Sequence, residues 1–295
     1  MHPTAFWIQD SFHVRYCGQE RRLDHARSEN AGRHAEWFGS RLGVPTGIFD
    51  LHLAGGNQLV GPDFRLVGFR SIELSALAAN DSDAQWRACG LIRDIDPRPL
   101  HVFGFRASDL SAASLPHRRS APHQTGFHID MSVSLTGKQR EGQPIIVVAD
   151  PLSPTHPDTA QVVNAKRQLD ASAERLIRRG FAVFRNPVPY VVSANGKLMP
   201  RLYNNVLVEN EVRAGRQRPL VWMPEFGDAE PLQGFDDSNA GLWADLGFEV
   251  VRVSGWNPLA AINGGLRCAT KVLRRRSPPP SADATKLPSL DDESP

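Results

Sequence analysis

Short apolar or alternating segments dominate this chain, and longer segments with helical spacing separate them. Residues 6–16 and 127–137 alternate between apolar and polar positions, and residues 144–151 are almost continuously apolar, which predicts β-strands. Residues 23–43 and 159–180 carry apolar side chains at helical spacing and end on a glycine, which predicts helices. The predicted order is strand, strand, helix, strand, repeated along the chain with loops between.

The remaining pattern extends this repeat and sets the domain limits. Residues 48–69 predict three strands separated by a glycine turn and a Pro-Asp turn, and residues 236–247 predict a helix. Residues 106–125 are rich in Ser, Pro, His and Arg, which predicts a loop. Residues 277–295 have the composition of a disordered tail. We therefore expect an α/β chain with one domain over residues 1–276 and a tail.

Composition and charge exclude several classes of protein. The chain has 295 residues, 41% of them hydrophobic, and a formal net charge of +2, which is ordinary for a soluble globular protein. Basic residues cluster only at Arg274–Arg276, so we expect no nucleic-acid partner. Apolar runs stay below the roughly 18 residues of a membrane span, and the start lacks the pattern of a signal peptide. We expect a cytoplasmic protein without a membrane partner.

The spacing of the cysteines and the glycine motifs narrow the possible functions further. The three cysteines, Cys17, Cys89 and Cys268, are scattered without a CxxC pair, which argues against a disulfide framework or a zinc site. The chain contains no GxGxxG after a predicted strand and no Walker A motif, so a nucleotide cofactor loses its main support. Cys268 follows two glycines in INGGLRCAT, where it is either a nucleophile or a small buried side chain.

Two further stretches carry carboxylates in apolar surroundings. Asp10 ends WIQD, and its burial would require a cationic partner, whereas a position at a strand end would leave it in solvent. His128 and Asp130 would point to one face of a strand, since residues two apart do so. That pair is compatible with metal ligation, with a structural hydrogen bond, or with a base beside a substrate-binding carboxylate. The stretch AGGN at residues 54–57 is, by itself, a turn.

Taken together, WIQD, GGN, HID and NGGLRC resemble the guanidino-group-modifying enzymes of the pentein superfamily. The motifs occur in the order found in the agmatine deiminase and protein-arginine deiminase branch, and YNNVLVEN at residues 203–210 is similar to that branch too. The resemblance spans roughly residues 5–273. It implies an α/β propeller of repeated ββαβ modules, with the first module absent or incomplete at the N-terminus.

The resemblance also implies a mechanism that matches elementary chemistry. Two carboxylates grip a planar, permanently charged guanidinium, and a thiolate attacks its central carbon. The carboxylates would be Asp10 and Asp130, the nucleophile Cys268, and the general acid and base His128. The expected reaction is hydrolysis of a guanidine C–N bond to a ureido product, such as citrulline, and ammonia, without a metal or organic cofactor. Substrate binding would involve four further residues, Trp7, Asn57, Gly265 and Arg267.

The substrate and the reaction type stay open at this point. Arg267 stands directly before the cysteine, where agmatine deiminases usually have His. An Arg at this position resembles the free-arginine deiminases, and it could face a substrate carboxylate. The substrate could thus be arginine, agmatine or a peptidyl arginine. An amidinotransferase with the same thiol chemistry, a non-catalytic guanidine-binding relative, and a metal-dependent hydrolase built on His128 and Asp130 are the alternatives.

Overall fold

A computed structural model describes most of the chain before the tail, as seven segments: residues 8–17, 20–26, 32–79, 84–104, 125–193, 196–227 and 232–273. The predicted loop over residues 106–125 falls almost entirely outside these segments, and so does the tail. Trp7 also lies outside the described residues, and the side chain of Cys17 is not described.

The described residues form thirteen strands and six α-helices. The strands are β1 (His13–Cys17), β2 (Glu20–Ala26), β3 (Thr46–Phe49), β4 (Gln58–Val60), β5 (Arg65–Gly68), β6 (Leu100–Phe103), β7 (Val133–Arg140), β8 (Gln143–Leu152), β9 (Ala182–Val192), β10 (Leu198–Pro200), β11 (Leu207–Glu209), β12 (Leu220–Pro224) and β13 (Glu249–Val253). The helices are α1 (Gly32–Leu42), α2 (Phe69–Ala79), α3 (Ala84–Ile95), α4 (Ala160–Arg178), α5 (Gln233–Asp245) and α6 (Asn257–Ala260).

These elements form four small sheets, and the first three strands of each sheet are connected in the same way. The sheets are β1-β2-β3, β4-β5-β6, β7-β8-β9-β10 and β11-β12-β13. In each sheet the first two strands pair antiparallel through a short connection, and the second and third pair in parallel. A parallel pair needs a crossover, and a helical segment supplies it every time. The described chain is therefore a mixed α/β protein built from repeated ββαβ modules, as the sequence pattern predicts.

Apolar packing joins the second, third and fourth modules into one core. The buried cluster includes Leu66 of β5, Ile146 of β8, Val221 of β12 and Trp243 of α5, each at most 1% exposed. Ile129 belongs to this cluster with 0% exposure, and burying such a side chain contributes roughly 2 kcal/mol. The turn that carries His128 and Asp130 is thus anchored to the core through the residue between them.

Three predicted elements, over residues 6–16, 23–43 and 127–137, differ from the observed ones because tertiary pairing overrides local periodicity. Residues 23–43 do not form one helix, since β2 occupies their first part and α1 begins only at Gly32. Leu23 and Asp24 on β2 are buried against β1, where the Asp24 carboxylate pairs with the Arg15 guanidinium at 2.7 Å. Residues 127–137 are likewise not one strand, because a 3₁₀ turn precedes β7.

The 3₁₀ turn also changes the geometry predicted for the HID motif. It spans Ile129–Met131, and His128 before it is extended. The expectation that His128 and Asp130 share a face because of strand alternation is therefore wrong. Asp10 likewise lies on a 3₁₀ turn, Ile8–Asp10, before β1 begins. Among the described helices, none is long and apolar enough to span a membrane.

Candidate active site

Asp10 is held by a backbone N–H group from the GGN turn. The Gly56 N–H donates to Asp10 Oδ1 at 2.8 Å, which fixes one oxygen of this carboxylate. Gln9 ties the same turn to two neighbours, because its side-chain amide donates to the Gly55 carbonyl at 3.1 Å and its N–H donates to the Cys268 carbonyl at 3.2 Å. Hydrogen bonds of Gln9 and Asp10 therefore join the WIQD segment to the GGN and NGGLRC segments.

The GGN turn lies where only glycine fits. A Cβ atom at Gly55 would stand 1.9 Å from the Gln9 carbonyl oxygen. At Gly56 it would stand 2.5 Å from His128 Nδ1 and 3.1 Å from Asp130 Oδ1. The backbone of Gly56 therefore packs against the side chains of Asp10, His128 and Asp130. The motif predicts no more than a turn, so this role of Gly56 was not foreseen from the sequence.

Asn57 connects this turn to the HID segment. Its side-chain carbonyl accepts a hydrogen bond from the Ile129 N–H at 3.1 Å, and its amide donates to Ser71 Oγ at 2.8 Å. The residue is 2% exposed, so these bonds lie away from water. Asn57 thus positions the turn that bears His128 and Asp130.

His128 and Asp130 reach the same space through this turn. His128 Nδ1 lies 3.8 Å from Asp10 Oδ2. Asp130 is 0% exposed, and its Oδ2 accepts from Arg267 Nη1 at 2.6 Å, whereas its Oδ1 is buried and has no hydrogen-bond partner among the described residues. The Phe127 ring stands edge-on to His128, with centroids 4.5 Å apart, and is 40% exposed. Each carboxylate therefore has one oxygen bound by the protein.

Cys268 lies in a turn after α6, not in a strand, and Asn205 holds that turn in place. Asn205 Oδ1 accepts from the Arg267 N–H at 2.8 Å and from the Cys268 N–H at 3.2 Å. Its side-chain amide donates to the Asp130 carbonyl at 3.2 Å. Gly265 packs so closely that a Cβ there would stand 2.4 Å from Asn205 Oδ1. One buried asparagine thus links the cysteine turn to the turn that carries Asp130.

Burial and the nearby carboxylates disfavour the thiolate form of Cys268. Cys268 is 4% exposed, and burial raises its pKa well above the usual range for a thiol, with Asp130 raising it further and Asp10 also contributing. Hydrogen bonds from the Gly265 backbone and the Asn205 side chain oppose this effect. A cation placed between the carboxylates and the sulfur would favour the thiolate, because it cancels the charges that disfavour it.

The structure brings seven of the eight predicted site residues into one connected cluster. These are Asp10, Asn57, His128, Asp130, Gly265, Arg267 and Cys268. The eighth, Trp7, lies outside the described residues. Of the other cysteines, Cys89 packs partly buried against the core of the second module. Within the described ranges, no group of three or more His, Cys, Asp or Glu side chains is placed to hold a metal ion.

No family model and no curated protein matches this sequence. Solved structures do match. The agmatine deiminase of C. jejuni aligns with 91% of this chain and 73% of its own, at 15% identity and a TM-score of 0.57. The agmatine deiminase of Enterococcus faecalis aligns with 90% of this chain and 73% of its own, at 13% identity and a TM-score of 0.56. A candidate arginine deiminase of Porphyromonas gingivalis aligns with 90% and 74%, at 16% identity and a TM-score of 0.61.

At these identities the likeness concerns the fold alone: the described chain has the fold of these deiminase structures. The predicted α/β fold is therefore confirmed as a mixed α/β fold of small sheets and helices, shared with these structures. The arrangement of the modules as a propeller stays a prediction, as do the roles of the site residues.

Proposed function

We propose that this protein hydrolyses a guanidine C–N bond through Cys268, releasing ammonia and a ureido product. One observation carries the proposal. Asp10 and Asp130, which are distant in the sequence, each have one oxygen bound by the protein and another beside His128, next to a buried thiol. Arg267 pairs with Asp130 through Oδ2 only, so Asp130 Oδ1 and the Asp10 carboxylate can bind a further cation, and a guanidinium is a planar one with N–H groups for both carboxylates.

The first half of the reaction forms a covalent intermediate. The substrate guanidinium donates to Asp10 and Asp130, which fixes its plane and concentrates positive charge on the central carbon. Its charge favours the Cys268 thiolate, the thiol proton passes to His128, and the sulfur attacks that carbon. The C–N bond breaks as His128 donates a proton to the leaving nitrogen, so that ammonia departs and an S-alkylthiouronium remains on the sulfur.

The second half restores the enzyme. His128, now neutral, removes a proton from water, and the hydroxide oxygen attacks the thiouronium carbon. The tetrahedral intermediate collapses with cleavage of the C–S bond, and its hydroxyl proton is lost to solvent, which leaves a C=O bond in the ureido product. The released thiolate takes back the proton held by His128. The water supplies the product oxygen, and no electron acceptor or metal takes part in these steps.

The fold relatives support the substrate class. A second structure of the C. jejuni agmatine deiminase contains a cysteine-to-serine substitution and bound substrate. For the chain described here, we accordingly propose an arginine- or agmatine-type guanidine, including a peptidyl arginine, as the small substrate.

The test is product formation by the purified protein. Arginine, agmatine and an N-acylated arginine amide are incubated with it, and ureido product and ammonia are measured with and without EDTA. We expect product that survives EDTA and falls at least about 10³-fold in Cys268→Ala, since the covalent step is lost. Cys89→Ala is the matched control and should keep full activity. Product that requires an added acceptor amine would instead indicate an amidinotransferase, and folded protein without product from any substrate would contradict the proposal.

A further inference from the structure

The Arg267 guanidinium binds two groups of the protein at the site. Nη1 donates to Asp130 Oδ2 at 2.6 Å, and Nη2 contacts the Gln58 carbonyl oxygen at 3.4 Å. The backbone N–H of Arg267 is fixed by Asn205 Oδ1 at 2.8 Å. Arg267 and Gln58 line a cavity of about 570 Å³ whose described lining does not include Asp130 or Cys268. Arg267 therefore borders this cavity and binds Asp130 from the cavity side.

The other oxygen of Asp130 is left for a ligand. Oδ1 is buried and accepts no hydrogen bond from any described residue, although a buried carboxylate oxygen is costly to leave unpaired. The Gly56 backbone and His128 Nδ1 lie beside it, as the short distances from a Cβ at Gly56 show. An N–H group of a substrate would satisfy Oδ1 and would enter on the side of His128.

The charges around Asp130 explain why a permanent cation is needed there. Burial raises the pKa of the Asp130 carboxyl, Arg267 is the strongest influence that lowers it, and His128 also lowers it, whereas Asp10 raises it. The Cys268 thiol, whose pKa Asp130 raises, is a further titratable neighbour. Since Arg267 stays charged throughout the accessible pH range, it offsets the burial of the carboxylate at every working pH.

We propose that Arg267 is a positioning residue for Asp130: it binds Oδ2 from the cavity side and presents Oδ1 alone to the substrate. The proposal rests on the proposed function and refines its substrate class. Because the Arg267 guanidinium is committed to Asp130, it does not recognise a carboxylate of the substrate. Arginine, agmatine and peptidyl arginine are therefore not distinguished through this residue, contrary to what the free-arginine deiminase pattern suggests.

The experiment compares kcat/KM for arginine and agmatine from pH 5 to 9 in four proteins. These are the unaltered chain, Arg267→Gln, Arg267→Lys and the control Arg213→Gln, whose side chain is 68% exposed and lies outside the site. At neutral pH we expect Arg267→Gln to lose at least about 30-fold for both substrates by the same factor, mainly through KM. The acid limb of its profile of kcat/KM against pH should move to higher pH by about one unit or more, because Asp130 loses its cation. Arg267→Lys should recover part of the loss.

Three results would overturn the proposal. They are a loss for arginine but not for agmatine, an acid limb that stays in place, and unchanged kinetics in Arg267→Gln. Thermal melting confirms that each variant is folded, and the second neutral variant Arg267→Met carries the pH test if Arg267→Gln does not fold.

A binding arm separates this proposal from the proposed function. Agmatine and arginine are titrated calorimetrically into Cys268→Ala, with and without Arg267→Gln. If the unaltered chain turns over neither substrate but Arg267→Gln shifts the pH dependence of binding in the same way, the role of Arg267 is retained and hydrolysis is rejected. Absence of guanidine binding by Cys268→Ala at any pH would reject both.

Discussion

Asn205→Ala is the substitution that most sharply separates a site held by specific hydrogen bonds from one that merely contains the right residue types. Asn205 is 0% exposed and connects the cysteine turn to the HID turn through three side-chain hydrogen bonds. Truncation leaves the Cys268 N–H and the Asp130 carbonyl unpaired inside the protein. The Arg267 N–H keeps one further acceptor, the Asn205 backbone carbonyl at 3.3 Å.

The expected cost follows from these contacts. Each buried group left without a partner costs about 1–3 kcal/mol, so two such groups and one weakened bond predict a loss near 3 kcal/mol in the free energy of unfolding. For a chain of this size that corresponds to a fall in Tm of about 5–10 °C. The two turns also lose their common support, and a displacement of about 1 Å at the reacting atoms costs roughly 10²-fold in kcat/KM.

The assay combines urea unfolding with turnover measured well below the lowest Tm. Asn204→Ala is the matched control, because Asn204 is also buried and its side chain donates to the Val147 carbonyl at 3.3 Å and to Asn186 Oδ1 at 3.0 Å, away from the site. We expect both variants to be destabilised by a few kcal/mol and only Asn205→Ala to lose about 10²-fold in kcat/KM. Equal activity losses in the two variants, or an active and stable Asn205→Ala, would refute the reasoning.

Two further predictions use the close packing of glycine and a buried histidine. Gly56→Ala places a Cβ 2.5 Å from His128 Nδ1, so turnover should fall at least about 10²-fold, whereas Gly90→Ala, in α3 with open space around it, should raise the free energy of unfolding by about 0.5–1 kcal/mol. Retained turnover in Gly56→Ala would contradict the close packing of Gly56 against the site side chains. His101 is 0% exposed, neither ring nitrogen has a hydrogen-bond partner among the described residues, and burial lowers its pKa to about 4 from 6.5. Because the unfolded chain binds a proton below pH 6.5 that the folded chain takes up only near pH 4, stability falls as pH falls through that window, by about 2 kcal/mol at pH 5. His101→Phe should remove this part of the slope in urea unfolding at pH 5 and 7.5, and an unchanged slope would be inconsistent with a buried neutral His101.

The residues that could be predicted from the sequence are those whose chemistry is unusual for their surroundings. A carboxylate after an aromatic residue, a His-x-Asp and a cysteine after two glycines each need an explanation, and together they resemble the motifs of guanidino-group-modifying enzymes. The structure brings Asp10, His128, Asp130 and Cys268 together. Sequence spacing alone suggested strand alternation for His128 and Asp130, and the observed 3₁₀ turn arises because Ile129 is buried in the core and Asn57 binds its N–H.

The supporting residues could not be predicted because their partners are far away in the chain. Asn205 and Arg267 are separated by 62 residues, and Asn57 and Ile129 by 72. Glycine and asparagine are typical turn residues, so Gly56 and Asn205 gave no local signal of a role in the site. The one available signal for Asn205 is the pair of asparagines in YNNVLVEN, which are polar residues beside an apolar strand and require buried partners.

The central claim is that two carboxylates hold a cation over the Cys268 sulfur, and selective alkylation tests it most directly. Chloroacetamidine is cationic and shaped like a guanidinium, whereas chloroacetamide is its neutral analogue with the same leaving group. We expect intact-mass and peptide mapping at pH 7.5 to show Cys268 modified at least about 10 times faster by the amidine, with Cys89 showing no such preference. Asp130→Asn and an excess of agmatine should both abolish that preference. Equal rates for the two reagents at Cys268, or a preference that survives Asp130→Asn, would contradict the account.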